Sequence, residues 1–449
     1  MMQTAEEVLT VVVDYAWGLP LIALLIGSGL ILTFWSRFVP FTLLGHAIYL
    51  LKGEQNTSHV PGEISHFEAL ATALSSTIGI GNIGGVAIAI TQGGPGAVFW
   101  MWLAAFLGMT TKFFSCTLAV MYRVKDKNGI HQGGPMYYIE AGLGPRFRPL
   151  AILFSIFGMI GCLALFQANQ ISEIMQAGLE VDPWITGIVS LVVVAAVVLG
   201  GLRRIATVAS RLVPLMCLLY LTLACIVLGM NLDSIPGVLT AIFHDAFNGT
   251  AAAGGFAGIA FKTVLQTGVK RAAFSNEAGI GTAPMAHGAA QTSEPIREGL
   301  VAMLGPFIDT ILICTLTALV ILLADDWRGA EMQGVELTMR AFETSLGEIG
   351  RGSLLLIVAL FGITTMFGYS YYGKKCFRYL FGETHDYLYD LFYLAGVLAG
   401  AVVSAEIVIH LVDTCFALMA LPNLLATLIL APRVLRALWK YRQQAREQR

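Results

Sequence analysis

The sequence predicts an all-α integral membrane protein of about eleven transmembrane helices, and three observations predict it. Of 449 residues, 56% are apolar and only 12% carry charge, against about 25% charged in a soluble domain. Apolar stretches of roughly 20 residues, the length that crosses a hydrocarbon core as a helix, recur along the whole chain. Lys and Arg gather in alternate connections between those stretches, as they do when one side of a membrane retains positive charge. A net charge of -2 points to neither nucleic acid nor an acidic partner. The seven cysteines, Cys116, Cys162, Cys217, Cys225 and Cys314 among them, stand singly in apolar runs and read as small apolar residues without disulfides or metal.

The first span covers 18–38, and an amphipathic stretch, 40–51, follows it. Further spans are read at 67–91, 95–122, 150–179, 183–200, 213–230, 256–290 (long and interrupted), 300–324, 353–372, 388–404 and 414–430. The positive connections hold Arg37 and Lys52; Arg123, Lys125, Lys127, Arg146 and Arg148; Arg203, Arg204 and Arg211; Arg297; and Lys374, Lys375 and Arg378. Connections 92–96, 180–183 and 231–255 hold almost none, and 325–350 is net acidic. This alternation places the N-terminus outside and the basic tail in the cytoplasm. The acidic N-terminus (Glu6, Glu7, Asp14) lacks the basic start of a cleavable signal peptide. The organisation expected is an extra helix and amphipathic segment over 1–64, five spans over 65–235, five over 236–430, and a basic tail over 431–449.

Two spans carry dense glycine: 76–85 (STIGIGNIGG) and 276–284 (NEAGIGTAP). Both read Ser-x-x-x-Gly-Ile-Gly, from Ser75 and from Ser275. Each lies in the first helix of a five-span set, and an odd-numbered repeat must sit inverted relative to its partner. Each glycine costs a helix about 1 kcal/mol, and unpaired backbone is tolerated in a membrane only where it lines a cavity. An unwound stretch offers N–H groups to a carboxylate at one half-helix and C=O groups to a cation at the other. The rival reading, close helix packing through small residues, explains either segment alone but not their matching places. A second possible hinge is Gly254-Gly255.

At this point the chain resembles the alanine-or-glycine:cation symporter family. The similar stretches are 73–85 (ALSSTIGIGNIGG), 93–102 (GGPGAVFWMW), 133–138 (GGPMYY), 274–284 (FSNEAGIGTAP), 305–310 (GPFIDT) and 370–373 (SYYG). The run 78–82 also resembles the first-helix break of neurotransmitter:sodium symporters, which share the leucine-transporter fold. The resemblance implies that fold, two inverted five-helix repeats, with one additional N-terminal helix. It implies sodium-coupled symport of a small neutral amino acid such as alanine or glycine, with Na+ as coupling ion. Many family members carry Thr where this chain has Ile80, a difference that shrinks or dries a pocket and bears on which amino acid is preferred.

The resemblance also implies roles. Gly79, Ile80 and Gly81 would offer backbone N–H groups to the substrate carboxylate, and Asn82 an amide oxygen, unless it caps the restarted helix. Gln167, polar in an apolar run, would bond the substrate or glue helices together. Phe274, Ser275 and Asn276 would form a substrate wall, and Glu277 would need a partner such as Arg271. Thr364 and Thr365 would coordinate Na+ with carbonyls of Ser75 and Ile78, with Thr365 also at the substrate; helical hydroxyls otherwise bond back to their own i−4 carbonyl. Asp309 is a second cation or proton candidate, and Lys112 is expected to snorkel.

The rival functions are weaker on the residues. An intramembrane enzyme needs a motif such as GxSxG or HExxH, and neither occurs. A channel needs rings of like residues from several subunits. Proton-coupled symport of serine or glutamine stays open. The partners expected are a small neutral amino acid and the lipid bilayer, in a bacterial inner membrane, with no nucleic acid and no obligate protein partner.

Overall fold

The structure, a computed structural model, describes residues 12–13, 15–52, 61–127, 129–248, 257–325, 327–328 and 334–447. Among them six helices are long and apolar enough to cross a membrane: Gly96–Met121, Pro145–Leu179, Gly201–Met230, Pro295–Ala324, Glu348–Phe381 and Ala405–Gln444. A seventh is the pair His66–Thr77 and Ile80–Gly93, bent by 59° at its break. The remaining expected spans are short or interrupted. Leu19–Trp35 and Asp386–Val402 have 17 residues each and Pro183–Val198 has 16. At 1.5 Å per residue they reach about 24–26 Å, a little under a hydrocarbon core of about 30 Å.

The connections hold more helix than the sequence showed. Within the expected loop 231–255 lies helix Ile235–Asn248. Its Phe243 and Phe247 are exposed, while Asp245 accepts from the Gly96 N–H at 2.9 Å. That pairing holds the helix flat against the start of Gly96–Met121. The acidic connection 325–350 contains Val335–Leu346, and there Thr338 donates to the Ile83 carbonyl at 3.2 Å. The last helix runs on to Glu447, so most of the basic tail continues it. A two-residue hairpin, Val124–Lys125 against His131–Gln132, closes the positive connection after Met121.

The two glycine-rich spans run side by side in opposite directions. The second half of the first, Gly84–Gly93, packs against Ala257–Asn276, whereas its first half, His66–Thr77, packs against Ala283–His287. At the His66 end they are tied by backbone. Ile64 and Ala290 form a parallel bridge. Glu63 N–H donates to Ala289 at 2.8 Å, Gln291 N–H to Ile64 at 2.7 Å and Thr292 N–H to Pro61 at 3.1 Å. Gly62 permits the approach: its φ is +135°, and a Cβ there would fall 2.4 Å from the Ala290 carbonyl oxygen. The Arg123 guanidinium spans the seam, donating to the carbonyls of Ala290, Pro61 and Thr292 at 2.8, 3.1 and 2.5 Å. A Ser65–Glu68 capping box then starts the helix. Below it the buried Glu298 carboxylate bonds both His66 and His287.

Candidate functional site

The first break is made by a change of partner. In a continuous helix the Gly79 N–H would bond the Ser75 carbonyl and the Asn82 N–H that of Ile78. Here the Gly79 N–H donates to Asn82 Oδ1 at 2.9 Å and the Asn82 N–H to the Gly79 carbonyl at 3.1 Å. The helix stops at Thr77, Gly79 is extended, and a 3₁₀ turn, Ile80–Asn82, leads into Gly84–Gly93. The exchange releases the carbonyls of Ser75 and Ile78 from the helical ladder. Asn82 therefore closes the 3₁₀ turn by engaging the Gly79 N–H, while the restarted helix Gly84–Gly93 has no side-chain cap.

The second break lies where the repeat placed it. Ala257–Asn276 ends, residues 277–282 are non-helical, and Ala283–His287 resumes. Gly279 and Gly281 have φ of +90° and +104°, backbone that L side chains rarely adopt. The Gly279 carbonyl is held by Asn423 at 2.7 Å, and Tyr138 donates to the same Asn423. The alternative hinge, Gly254-Gly255, lies outside the described residues.

Asp309 joins the two breaks. Its buried carboxylate accepts from Asn82 Nδ2 at 2.7 Å, Ser275 Oγ at 2.8 Å and Thr310 Oγ1 at 2.7 Å. Asn276 Nδ2 donates to Thr310 Oγ1 at 3.0 Å, and Gly81 lies against Phe274 and Ser275. Asp309 sits in a π-helical turn, Phe307–Cys314, whose wider pitch turns neighbouring polar groups inward and often marks a functional site. Nothing in the sequence pattern announces that turn.

Gln167 opens Leu165–Leu179 just after residues 162–164 interrupt the Pro145–Leu179 span. This third interruption the apolar run concealed. Gln167 is 4% exposed, and its Oε1 has no hydrogen-bond partner. A buried unpaired amide oxygen costs about 1–3 kcal/mol unless a ligand or water fills it. Beside it the Phe166 ring meets Phe274 edge-on, centroids 5.1 Å apart, and Phe416 and Tyr369 extend the aromatic wall.

On helix Glu348–Phe381 the adjacent threonines divide. Thr365 donates to the Phe361 carbonyl at 2.9 Å, which leaves its oxygen lone pairs free. A Cβ at Gly79 would fall 2.3 Å from that oxygen, so Thr365 packs directly against the break at Gly79. Thr364 is turned about 100° around the helix. It donates to the Leu360 and Phe361 carbonyls and lies 3.3 Å from Met216 Sδ. Thr364 is thus not brought beside Ser75 and Ile78.

Two further expectations are corrected. Lys112 does not snorkel: it is 2% exposed, with its Nζ against Gly305. Arg271 does not partner Glu277. It bonds Asp413 at 3.0 Å, Lys270 joins the same carboxylate at 2.7 Å, and Glu277 takes the Thr282 hydroxyl instead. Two cations near a helix break thereby share one buried carboxylate inside the protein. Asp413, Asn423 and Tyr138 carried no signal of this in the sequence.

Comparison with known proteins agrees with the geometry. The sequence model of the sodium:alanine symporter family matches residues 2–449. The sodium/alanine symporter AgcS of Methanococcus maripaludis is 39% identical over 93% of both chains. The probable sodium/glutamine symporter GlnT of Bacillus subtilis is 35% identical over 99% of this chain and 92% of that one. The crystal structure of MhsT in complex with L-phenylalanine superposes with a TM-score of 0.59, covering 84% of this chain and 99% of that one, at 12% identity. That distant likeness carries the fold, and the long matches carry the kinship: the chain belongs to the sodium:alanine symporter family, membrane transporters rather than enzymes, built on the leucine-transporter fold.

Proposed function

We propose that this protein carries a small neutral amino acid, alanine or glycine, into the cell together with Na+ by alternating access. On this reading 65–235 and 236–430 are two inverted repeats rocking about a shared site, with 1–64 an additional N-terminal segment. The N-terminus is outside, the basic tail cytoplasmic, and the membrane a bacterial inner membrane. The observation that carries the proposal is the change of partner at Gly79, which frees two backbone carbonyls from the helical ladder in the segment packed against Thr365. Three neutral oxygens suit a hard cation such as Na+. The substrate would lie between the first break (Gly79, Ile80, Gly81, Asn82), the orphan oxygen of Gln167, and Phe274, Ser275 and Asn276, its ammonium taking the Gln167 Oε1. The relative named as a sodium/alanine symporter supports the pairing of cargo and ion.

Counterflow in proteoliposomes tests this class: sodium should accelerate exchange of labelled for unlabelled alanine, which a channel cannot perform. Thr365→Val keeps shape and removes one oxygen. Its half-saturating sodium concentration is expected to rise about tenfold, the equivalent of about 1.4 kcal/mol. An unchanged sodium dependence removes Thr365 from the coordination shell.

Substrate size is set at Ile80, whose Cδ1 lies 3.0 Å from where a Gly362 Cβ would be, beside Ile171. Ile80→Thr is expected to admit serine or larger neutral amino acids and to weaken alanine about threefold; an unaltered preference places Ile80 away from the substrate. Asp309 keeps a second reading in view, proton-coupled uptake of serine or glutamine, since a buried carboxylate contacts both breaks. The relative named as a probable sodium/glutamine symporter shows how cargo names vary among relatives. Uptake that persists in sodium-free medium and follows a proton gradient would favour that reading.

A further inference from the structure

Near the Arg378 end of helix Glu348–Phe381 lies a cavity of about 220 Å³ lined by Glu63, Gln132, Ser370, Tyr371, Lys375 and Arg378, among others. It shares Glu63, Ile130 and Leu202 with a neighbouring cavity of about 460 Å³. Most of the charge nearby is already matched. Lys374 bonds Asp390 at 2.5 Å, and Arg378 grips Asp386 through Nε at 2.7 Å and Nη2 at 2.5 Å. Lys375 is different. It is 2% exposed, its Nζ has no hydrogen-bond partner, and it lies over the Tyr371 ring, 5.1 Å from the centroid.

Two more buried groups in the same wall are unsatisfied, the Tyr371 hydroxyl and Gln132 Oε1. The other end of that amide is spent on Asp126 at 2.8 Å. The Glu63 carboxyl adds a second acceptor; burial raises its pKa above the ordinary value, and Lys375 is the cation that opposes this most. A buried ammonium without a hydrogen-bond partner costs several kcal/mol. The cavity wall therefore holds spare donors, Lys375 and Tyr371, together with spare acceptors, Gln132 and Glu63. A ligand that answers both is a small zwitterion, with carboxylate on Lys375 and Tyr371 and ammonium on Gln132 and Glu63.

Tyr371 stands six residues beyond Thr365 on one helix, about 9 Å along its axis. Glu63 immediately precedes the first broken helix, and Gln132 belongs to the hairpin after Met121. We propose that this cavity is a second binding site for the transported amino acid, a release station passed between the central site and the cytoplasm. The proposal rests on the transport reading given above, and it names Lys375, Tyr371 and Gln132 as substrate-binding residues.

The test uses the full chain in proteoliposomes of one orientation, with the half-saturating concentration of labelled L-alanine for exchange measured separately on each face. Lys375→Met and Tyr371→Phe should each raise that value at least fivefold on the Lys375 face and leave the opposite face within twofold, and Lys375→Arg should recover most of the loss. Tyr371→Phe deletes only a hydroxyl, so its outcome does not depend on refolding of the cavity. Equal shifts on both faces, or none on the Lys375 face, overturn the proposal. So does an effect of replacing chloride by gluconate on that face that Lys375→Met erases, which would make the cavity an inorganic-anion site. A wild type that exchanges no alanine defeats the transport reading itself, and that is seen before any variant is made.

Discussion

Asp309→Asn is expected to abolish sodium-driven uptake while the protein still assembles in the membrane. The substitution keeps size and shape, and an amide oxygen can still accept from Asn82 or Ser275. What it removes is the one negative charge in contact with both breaks. A unit charge about 4 Å from a cation is worth about 4 kcal/mol at the effective dielectric of a protein, close to a thousandfold in half-saturating sodium where Asp309 holds the second cation. The new NH₂ group also meets hydroxyl and amide donors, which costs about 1–3 kcal/mol of stability. Uptake titrated with sodium, alongside a thermal melt in detergent, separates the two effects. Sodium dependence that survives in a normally folded variant excludes Asp309 from cation binding.

The second large effect is expected at Gly79. An alanine methyl there would sit 2.3 Å from Thr365 Oγ1, well inside van der Waals contact, and Thr365 lies mid-helix where it cannot retreat. Overpacking of this kind costs about 1–3 kcal/mol. The local damage is greater, because the methyl intrudes between the first break and the Thr365 hydroxyl. Gly79→Ala should lower uptake at least about a hundredfold. Adding Thr365→Ala makes room and should restore thermal stability without restoring uptake, because the hydroxyl is then missing. Recovery of transport in the double variant would mean that the oxygen of Thr365 is not used.

The parts of this architecture most legible in the sequence are those written as local composition. Ser75 and Ser275 head the same Ser-x-x-x-Gly-Ile-Gly pattern, and both helices break within it, because Gly279 and Gly281 take positive φ and Gly79 leaves room for Thr365, requirements that leave their mark in one dimension. The partner of Arg271 was not legible: Glu277 stands six residues away, but the packing brings Asp413 from 142 residues away to pair with it. Helix Ile235–Asn248 was not legible as a span because its 14 residues are shorter than a membrane crossing needs. The division of Thr364 from Thr365 was likewise hidden. Adjacent hydroxyls share a line in the sequence, but only a neighbour such as Met216 decides which face of the helix looks where.

The backbone seam between Ile64 and Ala290 has a consequence for coupling. Because Arg123 and the ladder around Ala289 clasp the inner ends of both interrupted helices, neither end can swing away alone. Opening toward the Arg123 side must release several bonds in one concerted event. On the transport reading proposed above, a carrier hinged in this way would have few half-open forms through which an ion could slip without its cargo, and a strip of peptide backbone distant from either ligand would then enforce tight coupling.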